Sequence, residues 1–173
     1  RVGRVQFIIL SLIGSGLIFF GQPFISMWAG KDYFDSYYIG LFLILPVTVP
    51  LIQNIGIEIQ RAKNMHQFRS WLYLFIAIAN VIVSIPLTKL YGALGAAIGT
   101  SISLIIGNGF IMNWYYHNRV GLDIKYFWKQ IIGFIPSFIA PTIVGVIISK
   151  FVNLYNPISF IISGIVYVIV FMV

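Results

Sequence analysis

An all-α integral membrane protein, a polytopic helical bundle of about six transmembrane helices, is the fold that this sequence predicts. Three observations predict it. Hydrophobic residues make up 60% of the 173-residue chain and charged residues 9%, against roughly 45–50% and 25% in an ordinary soluble domain. Six apolar runs approach or exceed the roughly 20 residues needed to cross about 30 Å of hydrocarbon. The charged residues lie almost wholly between those runs. Four acids and eleven bases could not cover the surface of a soluble domain. Soluble globular enzymes, disordered tails and nucleic-acid binders with a basic patch are therefore excluded.

The runs are Val5–Ile25, Tyr38–Ile59, Trp71–Leu87, Leu94–Trp114, Phe127–Ile148 and Ile158–Val173. Lipid offers no hydrogen bonds to a bare backbone, so each must be a helix or a barrel strand. Continuous apolar runs of this length do not fit barrel strands, which alternate in polarity over about 10 residues. All four tryptophans, Trp28, Trp71, Trp114 and Trp128, fall at run edges, the headgroup level that amphipathic rings prefer. The last run is expected to be cut short. The chain as a whole, residues 1–173, reads as a single transmembrane domain belonging to a longer polypeptide.

Orientation follows from the bases. Eight of the eleven (Arg1, Arg4, Arg61, Lys63, Arg69, Arg119, Lys125, Lys129) flank the runs on one side, and Lys31, Lys89 and Lys150 lie on the other. The positive-inside rule makes the eight-residue side cytoplasmic, with both ends of the segment facing the cytoplasm. The formal net charge of +7 then reflects topology and contact with the lipid bilayer, not a nucleic-acid partner.

Within the runs, irregular residues are few. Pro46 and Pro50 stand four apart near the middle of the second run, on one helix face, where each removes an amide donor. They are hinge candidates, and Pro136 and Pro141 repeat the theme in the fifth. Gly95, Gly99, Ser103 and Gly107 recur every four residues and form a small-residue stripe suited to close helix packing. Asn54, Asn80 and Asn108, with Gln53, Glu58, Ser84 and Asn113, are costly among lipid tails and should face the bundle interior or a wet cavity. Either a polar substrate pathway or interhelical hydrogen bonding would account for Asn80 and Asn108; Glu58 is expected to pair with Arg61 one turn later.

Catalytic chemistry finds no footing. The chain has no cysteine, and His66 and His117 lack the spacing of a metal site. No serine sits in a G-x-S-x-G context and no carboxylate pair lies within the runs. No catalytic residue, metal or cofactor is expected, which leaves transport or a structural membrane role.

Three stretches carry a family resemblance: FFGQPFISMWAGKDYFDSYYIGLFLILP, IEIQRAKNMHQFRSWLYLFIAIANVIVSIPL and LYGALGAAIGTSIS. From about Arg4 to about Trp114 the chain resembles the C-terminal half of bacterial polysaccharide flippases of the multidrug/oligosaccharidyl-lipid/polysaccharide exporter superfamily. The resemblance implies one six-helix lobe of a two-lobe transporter in the bacterial cytoplasmic membrane. It implies an undecaprenyl-pyrophosphate-linked oligosaccharide as substrate, flipped by alternating access for surface polysaccharide biosynthesis, with other polysaccharide-assembly proteins as partners. No Lys or Arg lies deep in any run here, unlike the cationic cavity of that family. Phosphate contacts would then come from outside this sequence or from Arg4, Arg61 and Lys63 near the cytoplasmic mouth. A drug or cation exporter of the same superfamily and a non-transporting membrane scaffold are the alternatives.

Overall fold

A computed structural model describes residues 2–172, and no strand occurs among them. The helices are α1 (Val2–Trp28), α2 (Asp35–Ile52), α3 (Asn54–Ala62), α4 (Gln67–Leu104), α5 (Asn113–Tyr115), α6 (Ile124–Ile132), α7 (Ile139–Phe151) and α8 (Pro157–Met172). Wider π-helical turns over Ile105–Met112 and Tyr116–Val120 carry α4 through α5 without a stop.

The all-α expectation holds, but the count of spans changes. Four segments are long and apolar enough to cross a membrane: Gly3–Trp28, Asp35–Ile52, Gln67–Val120 and Ile124–Phe151; Pro157–Met172 is shorter. The third contains two of the expected runs. It reverses at Gly92, whose φ of 59° and ψ of −140° suit a residue without Cβ. The arms on either side run antiparallel, as contacts far apart in sequence record. Ser84 and Asn80 face Thr100 and Gly99, Ile76 faces Gly107, and Tyr73 faces Asn108.

The second run, Tyr38–Ile59, is not one helix. Its first helix ends at Ile52, where Gln53 (φ −91°, ψ 15°) turns the chain into α3. Pro50 therefore lies in the last turn of α2 rather than near mid-span, and Glu58 lies on a separate short helix. α2 runs through both prolines, whose missing amides would have bonded the carbonyls of Phe42 and Pro46, and the break falls after them at Gln53. The fifth run is likewise interrupted: α6 stops at Ile132, a 3₁₀ turn spans Ile135–Phe138, and α7 begins at Ile139. Pro136 stands in the first positions of that turn, where its missing N–H costs nothing. The expected end of the sixth run, Val173, and the flanking Arg1 lie outside the described residues.

The helices alternate in direction. Tyr37 Oη donates to the carbonyl of Ile18 at 2.8 Å, Gly14 meets Leu45, and Gly3 meets Ile52, which sets α1 against α2 antiparallel. Between 93 and 112 the second arm of the hairpin lies beside α2, while α1 packs on α7 and α8. Arg4, Arg61, Lys63, Arg69, Arg119, Lys125 and Lys129 thus gather at one end of the bundle, and Lys31, Lys89 and Lys150 fall at the other.

Two buried clusters tie the ends. Leu72, Met112, Tyr115, Tyr116 and Val120 form the core at the basic end, where Phe68 stacks on Tyr115 with ring centroids 3.9 Å apart. Phe20, Ile148, Leu154 and Tyr167 form the other. Outside them the helices bare large apolar side chains, among them Phe75, Ile82, Ile158 and Ile161, each at least 60% exposed. In water each such side chain would forgo roughly 1.5–3 kcal/mol of burial; among acyl chains it forgoes none.

Candidate functional site

The small-residue stripe meets backbone. A Cβ at Gly95 would overlap the carbonyl of Leu87, one at Gly99 would stand 3.0 Å from the Cα of Ser84, and one at Gly107 would collide with the side chain of Ile76. Ser103 is buried on the same arm. The opposite face of the arm carries Ser101, whose hydroxyl donates to the carbonyl of Phe42 on α2. In an unbroken helix that carbonyl would bond the amide of residue 46, but residue 46 is proline.

Polar side chains form two chains inside the bundle. In the first, Arg69 donates to Tyr116 Oη at 3.2 Å and Tyr73 Oη at 2.8 Å, with its guanidinium also over the Tyr73 ring. Tyr73 Oη in turn donates to Asn108 Oδ1 at 2.8 Å. Asn108 is 2% exposed and its Nδ2 has no partner. In the second, Asn113 Oδ1 accepts from Gln53 Nε2 and from Trp128 Nε1 at 3.2 Å. Its Nδ2 donates to the carbonyls of Gly109 (2.6 Å) and Asn108 (3.3 Å). One amide thereby links α2, the hairpin and α6, and fills carbonyls that the π turns displace.

A cavity of about 350 Å³ opens at the basic end between the start of α1, α3 and α6. Its apolar lining includes Ile52, Ile55, Ile59 and Phe127; its polar lining includes Arg4, Gln53, Asp123 and Gln130. Arg4 bonds Gln130 Oε1, a neutral partner, and lies 5.3 Å from the Phe134 ring centroid. Asp123 is committed locally: it caps α6 by accepting from the Tyr126 amide at 2.9 Å.

Of the six pathway candidates, the structure brings only Arg4 to this cavity. Lys63 reaches the carbonyl of Val120 at 2.6 Å, neutralising the end of a helix that Gly121 terminates in the left-handed region. Arg61 pairs with Glu58 at 2.9 Å and, with exposed Asn54, lines a separate groove between α3 and α4. Asn80 Oδ1 accepts from Ser84 (2.7 Å) and Thr100 (3.4 Å), joining the two arms of the hairpin. Asn108 closes the first polar chain. Pro46 is buried in α2 and Pro50 half-buried. Sequence reasoning gave Arg69, Gln130 and Trp128 no site role. Arg69 stands in the first turn of α4, four residues before Tyr73, which puts both on one helix face.

No family model, curated protein or solved structure matches this chain. Its helices and their apolar surfaces define the class: an all-α protein with several helices suited to a membrane.

Proposed function

We propose that this chain is one lobe of a transporter that moves an anionic, polyprenyl-linked glycan across the bacterial cytoplasmic membrane by alternating access. The observation that carries this is the chemistry of the basic-end cavity. Its walls are largely isoleucine with Phe127, Tyr116 and Tyr126; Arg4 stands in the lining bonded to the neutral amide of Gln130, and the one carboxylate there, Asp123, is engaged in capping α6. An amphiphile with a phosphate next to an apolar chain suits such a lining. Guanidinium takes phosphate through paired N–H donors, while the chain occupies the apolar wall. The resemblance of residues from about Arg4 to about Trp114 to the flippases supports the same substrate class. Export of surface glycan by cells carrying the full-length protein tests it. Arg4→Ala and the cavity-filling Ile55→Trp should each reduce export at unchanged protein level. Normal export from both would overturn the assignment.

A scaffold without transport is the second possibility, favoured by one finding: Asn80 and Asn108 bond within the hairpin and neither lines the cavity. Cysteine placed at residue 55 separates the two, since this chain has no native cysteine. Labelling by an aqueous thiol reagent that substrate lipid slows supports transport. Labelling that no substrate alters supports a scaffold.

A further inference from the structure

Outside the cavity, a second concavity, a groove of about 590 Å³, lies between α3 and the start of α4. It is built from two helix faces. Asn54, Ile57, Glu58 and Arg61 repeat at the spacing of one face of α3, and His66, Arg69 and Ser70 supply the other side. The turn between them is clasped twice by one pair of residues. The Met65 amide donates to the Gln60 carbonyl at 3.0 Å, and Gln60 Nε2 donates to the Met65 carbonyl at 3.0 Å. Gln60 also lines the groove, is 0% exposed, and leaves Oε1 without a partner. A wholly buried side-chain acceptor with nothing to accept is uncommon and asks for a donor.

Two guanidiniums and an imidazole face this groove against one carboxylate, Glu58, which Arg61 engages. Arg69 has no carboxylate within ion-pair reach among the described residues. Two of its five N–H donors go to tyrosine hydroxyls, leaving the rest for an anion. The first amides of α4 also lack an intrahelical acceptor, and His66 provides no side-chain cap. Depth selects the source of the anion. Immediately after Ser70, α4 presents Trp71, Leu74 and Phe75, each at least half exposed. The groove therefore sits where an apolar helix surface begins, the level of lipid headgroups.

We propose that the α3–α4 groove binds the phosphate of an anionic phospholipid of the surrounding leaflet, with Arg61 and Arg69 as its ligands. This site is separate from the Arg4 cavity and stands whether or not the chain transports. The test uses the full chain in phosphatidylcholine vesicles with and without phosphatidylglycerol, with lipid retained by the purified protein measured by mass spectrometry. Phosphatidylglycerol should be retained selectively. Arg61→Ala, an exposed position that leaves the fold alone, should weaken retention about fivefold, the equivalent of about 1 kcal/mol for one interfacial base. Glu58→Gln, which frees Arg61, should strengthen it. Arg69→Ala should weaken it too, with thermal unfolding in pure phosphatidylcholine separating loss of binding from loss of fold. Retention unchanged in both Arg61→Ala and Glu58→Gln would overturn the proposal. So would inorganic phosphate displacing phosphatidylglycerol at similar concentration, which would make the ligand a soluble phosphate.

Discussion

The hydroxyl of Ser101 donates to the carbonyl of Phe42, the acceptor that Pro46 cannot serve. A break made by one helix is closed by a side chain from its neighbour, so the two residues are energetically linked although 59 positions apart. Ser101→Ala should cost about 1 kcal/mol of stability. Combined with Pro46→Ala, which restores an amide under that carbonyl, the serine change should cost almost nothing. Unfolding of the detergent-solubilised protein in a double-mutant cycle measures the coupling; additive costs would show that the serine acts elsewhere.

Glycine-to-alanine substitutions, two on the hairpin and one on α1, should rank by what the new methyl meets. Gly95→Ala strikes the Leu87 backbone and should destabilise most, by about 3 kcal/mol or more. Gly107→Ala strikes only the Ile76 side chain, which can turn aside, so its cost should be smaller and Ile76→Ala should relieve it. Gly16→Ala, with open space around it, should be neutral or slightly stabilising. Thermal unfolding of the three variants side by side gives the order.

Asn113 presents both faces of its amide to partners, and the isosteric Asn113→Asp tests this. A carboxylate still accepts from Gln53 and Trp128 but cannot donate to the carbonyls of Gly109 and Asn108. The loss should be roughly 2–3 kcal/mol. Trp128→Phe, which removes a single donor, should cost less than half of that, and tryptophan emission of the remaining three residues should hardly move.

Accessibility divides the asparagines. Cysteine at 54 should react rapidly with an aqueous maleimide in intact vesicles, since Asn54 is exposed. Cysteine at 108 should react only after denaturation, because that side chain is 2% exposed. Rapid labelling at 108 would mean that water reaches the first polar chain from the bundle interior.

Hydropathy carried much of the fold. The reversal near Gly92 shows in the sequence as the gap between Leu87 and Leu94, because a change of direction in lipid requires a break in the apolar run. The end of α2 does not show. Ile55, Ile57 and Ile59 keep the average apolar through residue 59, and an average over a window registers greasiness, not a turn at Gln53. The same limit hides the partners of Ser101, Arg69 and Asn113. Each bond joins segments distant in the chain, and the donor alone gives no hint of which carbonyl or hydroxyl it will meet. The π turns before Asn113 have no signature in residue type either, beyond Gly107 and Gly109.

The arm from Gly95 to Gly107 touches main chain on two opposite sides, the Leu87 and Ser84 backbone through its glycines and the Phe42 carbonyl through Ser101. At Gly95, Gly99 and Ser101 no long side chain separates it from its neighbours, so little sliding can be absorbed at those points. Mechanically, α2 and both arms of the hairpin amount to one plank, and any rocking of this lobe has to bend elsewhere, where the aromatic rings of Phe19, Phe20 and Tyr167 form a softer joint between α1 and α8.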